Sequence, residues 1–207
     1  MARDNERLER AQQEPIVGGL PDVPRIGVAM RLTPGLGVHL RGLADEILVH
    51  DYPGATLQRH EREMLATAVS AANDCLFCMD SHGAFANALL EKAGATDLVP
   101  MIDVIKDGSS DGLSDKMCAL LHIARTVQRD PRGLAEVDVD AATAAGATDA
   151  DIQLAILIAS AFSMYNRLVD GFRTRTAPTT EAYRARAVEI AEHGYSAPAG
   201  AAVAGRG

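Results

Sequence analysis

The residues best able to do chemistry lie within one short stretch: Glu63, then Cys75-Leu-Phe-Cys78, then His82. On a helix advancing ~100° per residue, Cys75, Cys78 and His82 fall within an arc of about 60°. They form one reactive stripe. Cα atoms three residues apart on a helix are about 5–5.5 Å from each other, a separation that a disulfide tolerates. The two thiols sit where a helix would begin, and there the free N–H groups and the positive end of the macrodipole favour a thiolate. A thiol of lowered pKa beside a second thiol able to trap its sulfenic acid is a two-cysteine redox centre. His82, one turn beyond Cys78, can move a proton near neutral pH. Glu63 belongs to the preceding helix, off its apolar stripe. If the chain folds back at Asn73-Asp74, the Glu63 carboxylate approaches the thiols as a base.

Other readings of the same residues stay open. Cys75, Cys78 and His82 could be three zinc ligands, with Cys118 or another histidine as the fourth. Against this, the chain has neither a second C-x-x-C nor an H-x₃₋₅-H pair. The thiols could also be a buried structural pair, and Glu63 alone reads as a solvated helix residue. Cys118 and His122 are i, i+4 on a helix whose stripe is Met117, Leu121 and Ala124, where a cysteine usually serves packing. Asn166, Arg167 and Asp170 are polar positions in an otherwise apolar helix, suited to a buried network or a subunit contact. No phosphate-binding glycine loop, dinucleotide fingerprint or G-x-S-x-G elbow occurs, so nucleotide binding and serine hydrolysis lack support.

The elements that must hold these side chains read as helices throughout. Helices are expected over about 36–50, 56–72 (with Thr56 as cap), 75–92, 97–106, 114–128 (with Ser114 as cap), 136–145, 148–169 and 179–193. No segment sustains period-2 alternation, so the fold class is all-α. Met64, Leu65, Ala68, Val69 and Ala72 make a buried stripe before the cysteines. The pentapeptide Ala93-Gly-Ala-Thr-Asp97 recurs as Ala145-Gly-Ala-Thr-Asp149. This suggests a duplicated helical unit with quasi-symmetric halves, of which only the first carries thiols. Residues 1–14 and 196–207 read as flexible tails around a domain over 15–195, and Pro15 to Pro34 reads as an irregular lead-in.

Composition narrows the function classes. The chain has 207 residues, 47% of them apolar, with no Trp, four Phe and four Tyr. A core of Ala, Leu, Val, Ile and Met favours close-packed helices over β-sandwiches. A net charge of −8 without a basic run argues against nucleic-acid or anionic-membrane partners. Three cysteines are too few for a disulfide-stapled secreted scaffold. The charged first residues do not read as a signal peptide. The longest apolar run, Leu154 to Ala161, is short for a membrane span. A cytoplasmic, reducing location is the resulting expectation.

The pattern Glu63-x₁₁-Cys75-x₂-Cys78-x₃-His82 resembles the signature of alkyl hydroperoxidase D-like (AhpD-like) proteins of the carboxymuconolactone decarboxylase-like superfamily, closest to its peroxidase-related branch. The flanking words Arg62-Glu-Met-Leu-Ala-Thr-Ala-Val-Ser-Ala-Ala-Asn73, Ser81-His82 and Phe162-Ser-Met-Tyr-Asn-Arg-Leu-Val-Asp170 extend the likeness over about residues 30–190. The resemblance implies an AhpD-like helical bundle assembling as a homotrimer or homohexamer. It implies reduction of a hydroperoxide, with a dithiol reductant such as a lipoyl or thioredoxin-like donor and no cofactor or metal. Within it Cys78 would be the peroxidatic thiol, Cys75 the resolving one, and Glu63 and His82 the proton relay. The dipole argument alone favours Cys75 as the thiolate. Phe77 stands where the family's best-known pattern has a histidine. Two alternatives accompany this reading: a thiol–disulfide reductase or adaptor for a partner peroxiredoxin, and a zinc-stabilised helical module without catalysis. The superfamily's lactone decarboxylases lack the cysteine pair.

Overall fold

The computed structural model describes residues 2–16 and 34–196. Among them there are nine α-helices, three short 3₁₀ turns and no strand: α1 (Ala2–Gln12), α2 (Pro34–Leu48), α3 (Arg59–Ala72), α4 (Leu76–Ala93), α5 (Met101–Lys106), α6 (Asp115–Arg129), α7 (Glu136–Ala144), α8 (Asp149–Gly171) and α9 (Arg184–His193). The all-α expectation holds.

The centre of the fold is α3. Every residue from Arg62 to Ser70 is buried, with α4, α5, α6 and α8 packed around it. Small side chains make this possible: Ala66, Ala68 and Val69 let neighbouring helices approach closely while Met64 and Leu65 fill the gaps. The second core helix is α8, apolar nearly all round. By length and composition it could cross a membrane, yet 56% of its most apolar window is buried inside the fold, as expected of a core helix.

Most helix ends lie where the sequence signals place them. Ser114 caps α6 by accepting from Met117 N at 3.3 Å. Gly94, at φ +72°, closes α4 in the left-handed conformation that glycine adopts without strain. Thr56 does not cap α3. Its amide and hydroxyl both donate to Asp151, each at 2.7 Å, so the helix starts later, after Gln58. Pro100 splits the helix expected over 97–106 into a 3₁₀ turn (Thr96–Leu98) and α5. The last expected helix likewise opens as a 3₁₀ turn, Thr180–Tyr183, before α9.

The repeated pentapeptide marks two equivalent helix-ending turns, with Gly94 and Gly146 both at positive φ. The helices they close differ twofold in length: 18 residues in α4 and nine in α7. The echo is one of turn chemistry.

Residues 2–12, expected as a loose tail, form α1. This helix is almost devoid of apolar residues and is held by ion pairs. Arg7 grips the buried Asp80 through two nitrogens, at 2.6 and 3.1 Å. Arg10 pairs with Asp170 at 3.0 Å and Arg3 with Asp107 at 2.7 Å. Charge complementarity between distant segments leaves no periodic trace in the sequence. Most of the expected lead-in (17–33) and nearly all of the C-terminal tail (197–207) lie outside the described residues.

Candidate functional site

The turn joining α3 to α4 sets the site. Asn73 ends α3 and donates its amide to the Val69 carbonyl at 3.0 Å. Asp74 takes φ +54°, a left-handed conformation that Asp tolerates better than most residues. Cys75 then occupies the N-cap of α4 at φ −86°, ψ 90°, and its thiol makes no capping bond. Ser, Thr, Asp or Asn would ordinarily fill that place. A thiol stands where a cap is expected, and Cys78 lies one turn further in.

The four predicted side chains fall into two neighbouring groups along α4. At the thiol end, Cys75 and Cys78 are both free and buried, within hydrogen-bonding reach of one another. Phe77, Val169, Ala177 and Tyr183 close around them, with Phe77 edge-on to Tyr183 at 5.8 Å between ring centres. Phe77, standing where the family pattern has an imidazole, is thus a packing residue. Cys75 Sγ points to the Asn166 carbonyl at 4.0 Å. The Asn166 side chain bridges Ser70 Oγ (3.1 Å) and Asn73 Nδ2 (2.8 Å), tying α8 to the turn.

One turn beyond Cys78, His82 Nδ1 meets Glu63 Oε2 at 2.7 Å. Glu63 is fully buried, contrary to the solvated reading it had in isolation. Its second oxygen accepts from the Tyr195 hydroxyl at 2.5 Å, and that hydroxyl also lies 3.3 Å from His82 Nδ1. Aromatic rings fix the imidazole: Phe162 edge-on at 4.5 Å, Phe85 edge-on at 5.0 Å and Tyr195 stacked at 5.9 Å. With Glu63 ionised, Nδ1 carries the proton and Nε2 is the basic nitrogen. Among the described residues no hydrogen bond occupies Nε2, and none joins the thiols to Glu63 or His82. The two groups are linked by α4 itself, since Cys78 and His82 are one turn apart on the same face.

The electrostatics differ from the helix-dipole expectation. The Cys78 thiol is pushed well above its ordinary range, first by its hydrogen bond with Cys75 and then by burial, which outweigh the Asn166 side chain. The dipole of a helix start is weaker than removal of a thiolate from water. Burial and the nearby Glu63 charge also push the Tyr195 hydroxyl far up, keeping it a neutral donor.

The set for a zinc site does not assemble. Among the described residues no three His, Cys, Asp or Glu side chains converge as metal ligands. Cys118 instead hydrogen-bonds the Ser110 and Leu113 carbonyls at 3.3 and 3.8 Å.

Residues 39–126, the span holding Glu63, both thiols and His82, match the model of the carboxymuconolactone decarboxylase family. The chain is similar to a solved structure from Ralstonia eutropha JMP134, described as an alkylhydroperoxidase AhpD core and uncharacterized peroxidase-related protein. The TM-score is 0.66 at 23% identity, covering 91% of this chain and 90% of that one. It is also similar to an uncharacterized peroxidase-related protein from Silicibacter sp. TM1040, with TM-score 0.64, 21% identity, and 84% and 93% coverage. Comparison with the curated proteins finds no match. The chain thus shares its helical fold with these solved structures, and its segment 39–126 resembles the carboxymuconolactone decarboxylase family.

Two members of the site escape sequence reasoning. Tyr195 reaches Glu63 across 132 positions from beyond the last helix, and no local pattern announces that contact. Asn166 shows as a polar residue in an apolar helix, which signals burial but not its thiol partner.

Proposed function

We propose that the protein is a thiol-dependent hydroperoxidase that cycles the Cys75–Cys78 pair. The observation carrying this reading is the pair of free thiols at the head of α4, one turn from an imidazole that a buried carboxylate orients. Cys78, held as the thiol by its surroundings, requires a base, and His82 Nε2 is the basic nitrogen on the same helical face. The base takes the Cys78 proton. The thiolate attacks the terminal peroxide oxygen, the O–O bond breaks, and the alkoxide takes a proton from solvent to leave as an alcohol (or water from hydrogen peroxide), His82 keeping the proton it took from Cys78. Cys78 is then a sulfenic acid. Attack by Cys75 sulfur forms the S–S bond and releases water, and an external dithiol returns both thiols while itself becoming a disulfide. Assembly as a homotrimer or homohexamer and a cytoplasmic location belong to the same proposal.

The experiment is stopped-flow peroxide consumption. Cys78→Ser is expected to abolish it, and Cys75→Ser to stop at the sulfenic acid. Equal activity in both variants overturns the mechanism.

A second reading is exchange with a partner's disulfide, which the same pair of free neighbouring thiols supports through thiolate attack and a mixed disulfide. Turnover with an oxidised peroxiredoxin that exceeds turnover with peroxide selects that reading.

A further inference from the structure

Cys78 has a base one turn away, whereas Cys75 lies on the far side of the pair. Its thiol faces the Asn166 backbone carbonyl, which accepts a hydrogen bond but cannot carry a proton away. One turn beyond Asn166 on the same face of α8 is Asp170; its neighbour Val169 packs in one cluster with Cys75 and Cys78, and the Asp170 carboxylate interacts with the Cys75 thiol. Asp170 differs from the other partners of the pair in its exposure. Cys75 is fully buried, while the Asp170 side chain is 39% exposed. It therefore spans the boundary between thiol and water. Arg10, reaching over from α1, holds one of its oxygens at 3.0 Å.

The other charged or titratable groups near Cys75 do not offer this route. On α4, Asp80 is engaged by Arg7 and Lys106. Tyr183, from the 3₁₀ turn, accepts the Ala177 amide at 3.0 Å and is kept neutral by burial. From α1, Glu6 pairs with Arg10 and lies near Asp170. Cys78 is the reaction partner itself. Burial raises the affinity of Asp170 for a proton in spite of Arg10, bringing the group closer to the range where it can both accept and release one.

We propose that Asp170, positioned by Arg10 of α1, is the proton acceptor of Cys75, so that the two thiols discharge their protons by separate routes. The inference rests on the redox reading above. When the Cys75 sulfur attacks the Cys78 sulfenic sulfur, the Cys75 proton passes to Asp170. The S–S bond forms as the S–O bond breaks, and the departing hydroxide takes a proton from His82, protonated in the preceding step, to leave as water. Asp170 then returns its proton to solvent. Arg10 is a positioning residue.

The test is a single turnover of the reduced full-length protein with hydrogen peroxide between pH 5 and 8. Sulfenic acid is trapped with a cyclic 1,3-diketone, and disulfide is read by mass after alkylation. In wild type the disulfide is expected to form with little trapped sulfenic acid. Asp170→Asn is expected to close the disulfide at least about tenfold more slowly near pH 6.5, near the lower end of acid–base contributions because water has access to the site. Sulfenic acid accumulates and the pH profile flattens. Asp170→Glu restores most of the rate, and added formate partly rescues Asp170→Ala, neither of which a merely structural role would produce. Arg10→Gln shifts the midpoint of the profile. Closure by Asp170→Asn at the wild-type rate and pH dependence overturns the inference, as does slow closure without rescue by glutamate or formate. A wild-type protein that forms neither sulfenic acid nor disulfide overturns the parent reading instead.

Discussion

Glu63 and Asp151 are both fully buried carboxylates near helix starts, yet their surroundings assign them opposite work. Asp151 is saturated. It accepts the Thr56 amide and hydroxyl, the Leu57 amide and the Thr148 amide at 2.7–3.1 Å, and pairs with Lys116 at 3.0 Å. Burial works to raise its pKa, but the donors win and hold it well below the usual carboxylate range. Such a group locks the start of α8 to the loop before α3, and its proton is out of reach. Among the described residues Glu63 accepts from two side chains, His82 and Tyr195; Tyr195 stays a neutral donor, while the imidazole carries a proton that can move. Burial alone does not distinguish a structural acid from a reactive one. The protons held by its partners do.

That contrast can be broken by substitution. Glu63→Gln keeps the shape but removes the charge that orients His82, and peroxide turnover is expected to fall about 10²–10⁴-fold, the usual scale for an acid–base group. The thiols should remain titratable. Asp151→Asn is the counterpart. It leaves the Lys116 charge unpaired and turns an amide toward backbone donors, so urea unfolding should show a loss of about 3–5 kcal/mol, with turnover per folded molecule unchanged. If Asp151→Asn lost turnover without losing stability, the contrast would fail.

The same contrast has a pH signature. A carboxylate whose folded pKa is depressed contributes stability above its unfolded value, about 4, and that contribution is lost as pH falls toward the folded value. Acid unfolding of the wild type should therefore steepen below about pH 4, and Asp151→Asn should remove that slope. In the opposite direction, the raised Cys78 thiol should alkylate faster as pH climbs, with the rise continuing beyond pH 8.5, the ordinary thiol value. Tyr195→Phe is milder. It strands one Glu63 oxygen at a cost of about 1–3 kcal/mol and lowers turnover less than Glu63→Gln. Cys118→Ser should change neither quantity.

Much of this was legible in the sequence because it was local. Ser114, Gly94 and the Asn73-Asp74 break punctuate helices through their own backbone chemistry, and the spacing of Cys78 and His82 survives because one helix carries both, with Cys75 at its N-cap. What the sequence did not show is contact across distance. Thr56 looked like a cap until Asp151, 95 positions on, took its donors. Glu63 looked solvated because its partners lie 19 and 132 positions away. The polar α1 read as a tail because ion pairs, unlike apolar stripes, have no period. The lowered thiol pKa expected at a helix start is not met at Cys78 for a related reason: the helix start is visible in the sequence, while the contact with the second thiol and the depth of burial are not.

The backbone at Cys75 carries a mechanical consequence. Its amide bonds to the Ser70 carbonyl outside the helical ladder of α4, so one sulfur belongs to a joint and the other to a rod. Clamping the two together would tighten the joint and leave the rod's own ladder whole. Oxidised and reduced molecules should then share one silhouette, and any partner that tells them apart must do so by touching the joint.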